Sequence, residues 1–331
     1  MTDQPTRVSR RWLYIPFIVA GLVLLGYFLL WRAGAAQMKK ATEVWIEDQR
    51  AAGLEISHDA IRAGGFPFFL RVFIEAPDIA SPDGWRWRAG ELIMDALPYD
   101  LNRLIFSPQG EQTIYTERLG EWRITAGDLR ASIANDKQRQ WVFSMTVGEA
   151  HSVRTADGAE TRLESLIFDL APSAEDLTTL TLNLAAKGFA ARIAGEDYSA
   201  ADFQTLMAIS QTQALAPPDP VPAWRAAGGE LTIARLYADV EQTKLALSGA
   251  LHLDRYAYPE GALNAEISNP AGLARLLGKT GALSPAEAEA AAAGLTLAAI
   301  AGGGKIAAPI DFKNGAAEIA GVKIADLPSI Q

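Results

Sequence analysis

The pattern of hydrophobic and polar positions changes once along the chain, near Gly53. Before that point an uncharged apolar segment, 12–31, is followed by a mixed segment, 33–53, whose composition is typical of a helix. After it, apolar and polar residues mostly alternate, which indicates strands with one buried face. We therefore predict a mainly β protein of the α+β class. It should have an N-terminal transmembrane helix, then a large curved antiparallel sheet with a few covering helices.

Segment 12–31 is long enough to cross a bilayer, because its twenty residues at about 1.5 Å each span roughly 30 Å. Aromatic residues near both of its ends suit the membrane interface. A cleaved signal peptide and a buried core helix are the other interpretations. Signal peptides have a shorter apolar stretch, and Arg32 interrupts the approach to the small residues Ala33-Gly34-Ala35. We therefore favour a retained anchor, with 33–53 as a stalk helix.

Basic residues flank this segment on both sides. They are Arg7, Arg10 and Arg11 before it, and Arg32, Lys39 and Lys40 after it. A short basic tail next to a span favours a cytoplasmic tail. We expect residues 1–11 in the cytoplasm and the large domain in the periplasm, on a single pass through the inner membrane.

Alternation is clearest in Phe68–Glu75 and Lys244–Asp254, which we predict to be strands. Asn314-Gly315 is a two-residue hairpin signal, and it predicts that Pro309–Lys313 pairs with Ala316–Ile319.

Three segments are predicted to be helices. The first runs from Ser199 to about Leu215, with an apolar side that includes Phe203 and Met207. The second starts at Asn269-Pro270, a capping residue followed by proline, and stops at Gly278. The third opens with the capping box Ser284-Pro285-Ala286-Glu287 and ends before the glycines at 302–304.

The proline-rich segment 216–223 is the clearest linker signal. It divides the chain into 54–215, a β-rich domain with a C-terminal helix, and 224–331, a β-meander with two helices and a C-terminal hairpin. A short repeat beginning at Trp85, Trp122 and, more loosely, Trp224 supports the division. We interpret the repeat as recurrent strand entry, the alternative being a shared ligand site.

Charge and composition narrow the classes of function. The net charge is −9 although residues 1–32 are themselves basic, so the rest of the chain is more acidic still. An acidic body repels nucleic acid, and we expect no nucleic-acid partner. The chain has no cysteine, which excludes disulfides and cysteine-bound zinc.

No pattern of catalytic or metal-binding residues emerges. The three histidines, His58, His151 and His252, lie far apart, and we interpret them as solvated surface residues. The segment Gly302-Gly303-Gly304-Lys305 suggests a phosphate loop, but Ala299 and Ile306 stand where that motif needs Gly and Ser or Thr. We expect no enzyme activity, no cofactor and no metal.

One element, Gly64-Gly65-Phe66-Pro67-Phe68, leads into a strand and then Ala76-Pro77. With Leu247-Ser248-Gly249, Gly281–Pro285 and Asn314-Gly315, it makes the chain resemble a bacterial family known as domain of unknown function 2125. The resemblance covers most of residues 12–328. It implies an envelope protein of Gram-negative bacteria with a single N-terminal span, and it brings no catalytic residues. At the level of fold alone, the layout is also loosely similar to AsmA-type envelope proteins, whose long curved sheets handle phospholipid.

The apolar face of the predicted sheet is the remaining candidate site. Either the helices after Ser199 and Asn269 cover it as core, or part of it is an open groove for an acyl chain. The candidate lining residues are Phe66, Phe68, Leu70, Val72, Ile74, Leu245, Leu247, Leu251 and Leu253. The leading hypothesis is binding of lipid or another envelope component without catalysis. The alternative is a structural scaffold that recruits an envelope protein partner through its strand edges.

Overall fold

The structure is a computed structural model that describes residues 14–193, 195–216, 219–300, 302–319 and 321–330. The predicted tail 1–11, the first two residues of the predicted span, and Pro217 and Pro218 of the predicted linker lie outside the described residues. The chain forms two compact units, Met1–Glu117 and Arg118–Gln331. The predicted fold class is confirmed, since antiparallel strands dominate and four α-helices accompany them in the described part of the chain.

The first unit contains one long helix, α1 (Ile15–Ala51). Its strands are β1 (Glu55–Ser57), β2 (Ile61–Gly64), β3 (Leu70–Glu75), β4 (Asp78–Ala80), β5 (Trp85–Leu97) and β6 (Asp100–Thr116). β3 and β4 lie end to end against β5, and β5 pairs with β6. β2 pairs with β3, and β1 pairs with β4, so that the whole sheet of this unit is antiparallel.

Helix α1 joins the predicted span and the predicted stalk helix without a break. Its apolar first half is long and apolar enough to cross a membrane, and none of its residues is buried. Its second half buries Ala35, Thr42 and Ile46. Gly34 permits close packing there, because a Cβ at this position would lie 3.3 Å from a methyl group of Leu70. The helix ends before Gly53, which has the left-handed φ of +102° that glycine accommodates best.

The strand predicted over Phe68–Glu75 is confirmed from Leu70 onward, whereas Phe68 and Phe69 lie in the loop before it. Leu70, Val72 and Ile74 of β3 are buried, and the residues between them are partly exposed. Met94 and Ala96 of β5 pack beside these side chains, which lie against the second half of α1. This layer is the core of the first unit.

The second unit is a long antiparallel meander. Its strands are β7 (Gly120–Ala126), β8 (Leu129–Asp136), β9 (Gln140–Arg154), β10 (Glu160–Pro172), β11 (Leu180–Ile193), β12 (Glu196–Ile209), β13 (Leu231–Val240), β14 (Thr243–Leu253), β15 (Pro259–Ser268), β16 (Lys305–Lys313), β17 (Ala316–Ile319) and β18 (Val322–Asp326). Its helices are α2 (Pro220–Ala226), α3 (Pro270–Lys279) and α4 (Pro285–Ile300). β7 and β8 lie end to end against β9. From β9 to β18 the strands pair in chain order.

Helices α3 and α4 cover the C-terminal strands and build the core of this unit. Ile267 of β15, Leu295 of α4 and Ile319 of β17 are fully buried there. Both predicted helix starts are confirmed. The Asn269 side chain accepts a hydrogen bond from the Gly272 backbone N–H, and Ser284 and Glu287 form the reciprocal capping box.

The helix predicted from Ser199 to Leu215 is wrong, because β12 occupies Glu196–Ile209. Phe203 and Met207 share a face in a helix, where they are four residues apart, but they also share a face in a strand, where the period is two. The structure uses the second arrangement, in which Leu206 points to the opposite face and is exposed. A short 3-10 turn, Thr212–Leu215, follows the strand.

The proline-rich segment connects two strands that pair with each other, β12 and β13. It lies inside the second unit, and the division between compact units falls at Glu117 and Arg118. Trp85 and Trp122 lie in strands, as the repeat predicts, whereas Trp224 lies in α2. The hairpin predicted at Asn314-Gly315 is confirmed by the pairing of β16 with β17.

Candidate ligand-binding face

Strand register aligns the apolar residues of the second unit on one face of its sheet. In one cross-strand row, Met145 lies opposite Phe168, and Phe168 lies opposite Leu184. The row continues through Thr205, Leu236, Leu247, Ala265 and Ala308. The next row is apolar throughout and runs through Ile133, Phe143, Leu170, Leu182, Met207, Ile233, Gly249, Leu263, Ile310 and Ile319. From β8 to β17 the sheet therefore presents a continuous apolar face on one side.

Only one end of this apolar face is sealed by helices of its unit. Over β14–β18, α3 and α4 bury it, and Leu245 and Leu247 pack against the resulting core. Over β8–β12, helices in the described part of the second unit make few contacts: Lys279 at the end of α3 lies over the Tyr198 ring of β12, and no more extensive helix packing occurs there. We call this second region the open apolar face, and its members are Phe143, Met145, Leu166, Phe168, Leu170, Leu182, Leu184 and Met207. Their side chains are all half-buried.

The side chains of the open apolar face are large and closely spaced. The rings of Phe143 and Phe168 meet edge to face, with centroids 6.0 Å apart, a favoured aromatic arrangement. Thr205 is the polar member of the aligned rows, and its hydroxyl is buried without a hydrogen-bond partner in the structure. The surface therefore offers apolar contact almost alone.

The opposite face of the same strands is mostly polar. Asn183 donates a hydrogen bond of 3.2 Å from Nδ2 to Asp169 Oδ2 there. Further along, an open depression of about 790 Å³ has a mixed lining. Its polar members include Gln204, Ser248, Asn264 and Glu266, and its apolar members include Leu236, Ala246, Leu247 and Pro309. Because polar and charged side chains interrupt the lining of this depression, the open apolar face is the better candidate for an acyl chain.

The structure distributes the predicted groove residues over three environments. Leu70, Val72 and Ile74 are at most 8% exposed beneath α1 and line no open surface. Phe66 and Phe68 lie in the loop between β2 and β3 and are 46% and 73% exposed. In the second unit, Leu245 and Leu247 lie at the sealed end, while Leu251 and Leu253 are half-buried further along β14.

Sequence reasoning missed the members of the open apolar face. A signal was present, because Trp141, Phe143, Met145 and Val147 alternate with less apolar residues in the same way as the predicted strands do.

The ionisable groups with shifted pKa values lie in turns, caps and ion pairs. In the turn between β9 and β10, hydrogen bonds from the Arg154 guanidinium and the Ala159 backbone N–H lower the pKa of Asp157 to about 2. At the start of α4, hydrogen bonds from Ser284 lower the pKa of Glu287. These shifts follow from local structure and point to no reacting group.

The histidines remain separate in the structure. His151 and His252 are partly exposed, and their Nε2 atoms lie 3.7 Å from Glu160 and 3.5 Å from Glu260. His58 is half-buried, with an Nδ1 atom that has no hydrogen-bond partner. Among the described residues, no group of three or more histidine or acidic side chains is arranged to hold a metal ion.

The fold and the candidate site together define a class of protein. In this class an N-terminal helix precedes a large antiparallel sheet, and one face of the sheet is apolar while the other is mostly polar. A family model described as "Uncharacterized protein conserved in bacteria (DUF2125)" matches residues 31–328, and the chain belongs to this family. The resemblance seen in the Gly-Phe-Pro-Phe element is thereby confirmed. Neither a curated protein nor a solved structure matches the chain, and the looser similarity to AsmA-type proteins stays a prediction.

Proposed function

We propose that this protein is a membrane-anchored lipid-binding protein that holds an acyl chain on the open apolar face, without catalysis. In this proposal α1 crosses the inner membrane of a Gram-negative bacterium, the N-terminal tail is cytoplasmic, and both units lie in the periplasm. The observation that carries it is the difference between the two ends of one sheet face. Helices α3 and α4 bury one end, while the other end keeps eight large apolar side chains partly accessible.

The size of the face suits a lipid tail. Five strands at a spacing of about 4.8 Å are roughly 20 Å across. Burying each CH₂ group contributes about 0.8 kcal/mol, so a bound acyl chain gains affinity along its length. The mostly polar opposite face would remain in water.

The anchor supports lipid over other apolar ligands. A domain tethered to a bilayer meets lipid at a high effective concentration, which raises occupancy without any additional contact. The acidic composition of the chain outside residues 1–32 argues against an attraction to anionic surfaces. Binding would therefore depend on the lipid tail more than on headgroup charge.

Photo-crosslinking in living cells tests this proposal. p-Benzoylphenylalanine in place of Phe168 would project from the open apolar face, and the same group in place of Ile167 would project from the opposite face one residue earlier. Ile167 is 47% exposed, more than the half-buried Phe168, so low accessibility cannot explain a lack of adducts at this control position. We expect lipid adducts, identified by mass spectrometry, at position 168 and few at position 167.

Three results would contradict the proposal: no lipid adduct at position 168, equal adducts at both positions, or adducts with a protein alone. The last result would favour the scaffolding alternative. Orientation is tested separately with a reporter fused after the last residue, since activity confined to the cytoplasm would overturn the periplasmic placement.

A further inference from the structure

Two loops of the first unit end in strongly exposed apolar side chains. One is the loop 65–69 between β2 and β3, which contains Phe66 and Phe68. The other is the hairpin turn between β5 and β6, where Tyr99 is 84% exposed and Leu101, just after the turn, is 64% exposed. We call these loops the two tips.

Strand register places both tips at the same end of the sheet. Leu70, the first residue of β3, lies opposite Ala96 near the end of β5. The loop 65–69 directly precedes Leu70, and the turn Pro98-Tyr99 begins two residues after Ala96. Both tips therefore project from the same end of the sheet.

Packing against α1 gives that end a direction. Leu70 and Ala96 form a cluster with Ala35, together with Trp31 and Met38. Further along β3, Val72 and Ile74 pack with Met38 but not with Trp31 or Ala35. β3 therefore runs in the same direction as α1, away from the apolar first half of the helix, and the two tips extend back toward that half.

The first tip contacts the last turns of the apolar half directly. Trp31 donates a hydrogen bond of 2.7 Å from its indole Nε1 to the Phe69 carbonyl oxygen, and the Tyr27 hydroxyl donates to the Pro67 carbonyl oxygen. The Phe66 ring centroid lies 5.4 Å from that of Phe28. Tyr27 precedes Trp31 by one helical turn, about 6 Å along the axis. This tip therefore lies beside the last turn of the candidate membrane span, on the Tyr27 side of Trp31.

Two arginines near the first tip, Arg62 and Arg71, are paired within the protein. Arg71 forms two hydrogen bonds, of 2.6 and 2.7 Å, with Asp95. Arg62 donates a hydrogen bond of 2.6 Å to Glu75. Arg32, next to Trp31, and Arg103, two residues after Leu101, are exposed, so headgroup charge can add to the contact. Insertion of the tips themselves would come from apolar and aromatic side chains, which favour the interface.

We infer that the two tips form a second membrane contact, in which Phe66, Phe68, Tyr99 and Leu101 insert into the interfacial layer of the leaflet where α1 leaves the bilayer. The partner is the bilayer interface itself, recognised through apolar insertion. The first unit then rests on the membrane surface. This inference rests on the anchoring by α1 proposed above.

Cysteine labelling of the full-length protein tests the inference, because the natural chain has no cysteine that would react. Phe68→Cys and Tyr99→Cys would each carry an environment-sensitive fluorophore, with the protein in phosphatidylcholine nanodiscs. Asp83→Cys is the matched control, because it lies in the turn before β5, at the opposite end of the same sheet. The thirteen residues of β5 separate it from the tips by roughly 40 Å. Leu24→Cys, within the candidate span, reports on anchoring.

We expect the labels at 68 and 99 to show blue-shifted emission, loss of quenching by aqueous iodide, and quenching by lipids brominated near the headgroup. The label at 83 should stay accessible to iodide, and shielding at 68 and 99 should already occur in phosphatidylcholine alone, without phosphatidylglycerol. Because Phe68 and Tyr99 are exposed on separate loops, the two variants report independently of each other.

Each other outcome would overturn the inference in a distinct way. If position 24 is shielded while 68 and 99 remain in water, α1 anchors the protein but the tips make no contact. If position 24 is itself in water, the anchoring proposal fails together with the inference. Equal shielding at 83, or shielding that requires phosphatidylglycerol, would also contradict an insertion confined to the apolar tips.

Discussion

The indole Nε1 of Trp31 lies 2.7 Å from the carbonyl oxygen of Phe69, a residue 38 positions later in the chain. This hydrogen bond joins the last turn of the apolar helix segment to the loop that opens β3. It makes the Gly-Phe-Pro-Phe element part of the attachment between α1 and the sheet. The most recognisable motif of the sequence therefore has a structural role that its pattern alone did not reveal.

Replacing Trp31 with phenylalanine should weaken that attachment. Trp31→Phe keeps an aromatic ring but removes the donor, and we expect a loss of about 1 kcal/mol in the free energy of unfolding. Thermal unfolding of the full chain in one detergent measures the change. Trp45→Phe is the control, because Trp45 lies on the same helix and is 53% exposed. Equal effects of the two substitutions would contradict a specific role for the Trp31 hydrogen bond.

The ion pair of Arg71 and Asp95 should behave as a unit. Asp95 is 8% exposed, and its hydrogen bond holds the pKa of Arg71 above the usual value. Arg71→Met leaves the carboxylate buried without its cation, which should cost about 3–5 kcal/mol. The double variant Arg71→Met, Asp95→Leu should recover most of that loss. A double variant as unstable as Arg71→Met would show that packing, and not charge, dominates here.

Leucines at the two ends of the second unit's apolar face should respond differently to truncation. Leu295 of α4 is fully buried, so Leu295→Ala should cost about 2–5 kcal/mol of stability. Leu184, on the open apolar face, is half-buried, and Leu184→Ala should cost clearly less. It should instead reduce the yield of lipid adducts at position 168. Comparable destabilisation by both substitutions would argue that the open apolar face is sealed in the native protein.

Asp157 should contribute to stability in a defined pH range. Its folded pKa, lowered to about 2 by the Arg154 hydrogen bond, lies below the unfolded value of about 3.9. A depressed folded pKa stabilises the protein above the unfolded pKa, and this stabilisation is lost as the pH falls through the folded one. We expect the difference in Tm between the natural protein and Asp157→Asn to be constant at neutral pH and to shrink between about pH 4 and pH 2. A difference that persists unchanged into this acid range would contradict the assignment.

Features set by local chemistry were predictable from the sequence. The buried alternation of β3 follows from its period of two, and the start of α3 follows from the hydrogen-bonding capacity of Asn269. The prediction for 199–215 was wrong because Phe203 and Met207, four residues apart, satisfy a helix and a strand equally. Pairing with β11 and β13, which sequence patterns do not encode locally, decided between them.

The candidate site depended on contacts that no local pattern contains. The strand around Phe143 and the strand around Leu247 show the same alternation, so the sequence cannot tell which is covered. The difference arises where α3 and α4 pack, after chain segments far apart in sequence have come together. Alignment of Met145, Phe168 and Leu184 likewise depends on the register of separate hairpins.

With α1 in a bilayer as proposed, its unbroken course would couple the bilayer thickness to the position of the first unit. A hydrophobic segment that exceeds the local bilayer thickness tilts, and one that is too short thins the bilayer or draws flanking residues inward. Since α1 has no hinge between Ile15 and Ala51, any tilt passes undiminished to Leu70 and the strands around it. The angle of the first unit to the membrane plane would therefore depend on the lipid composition of the bilayer.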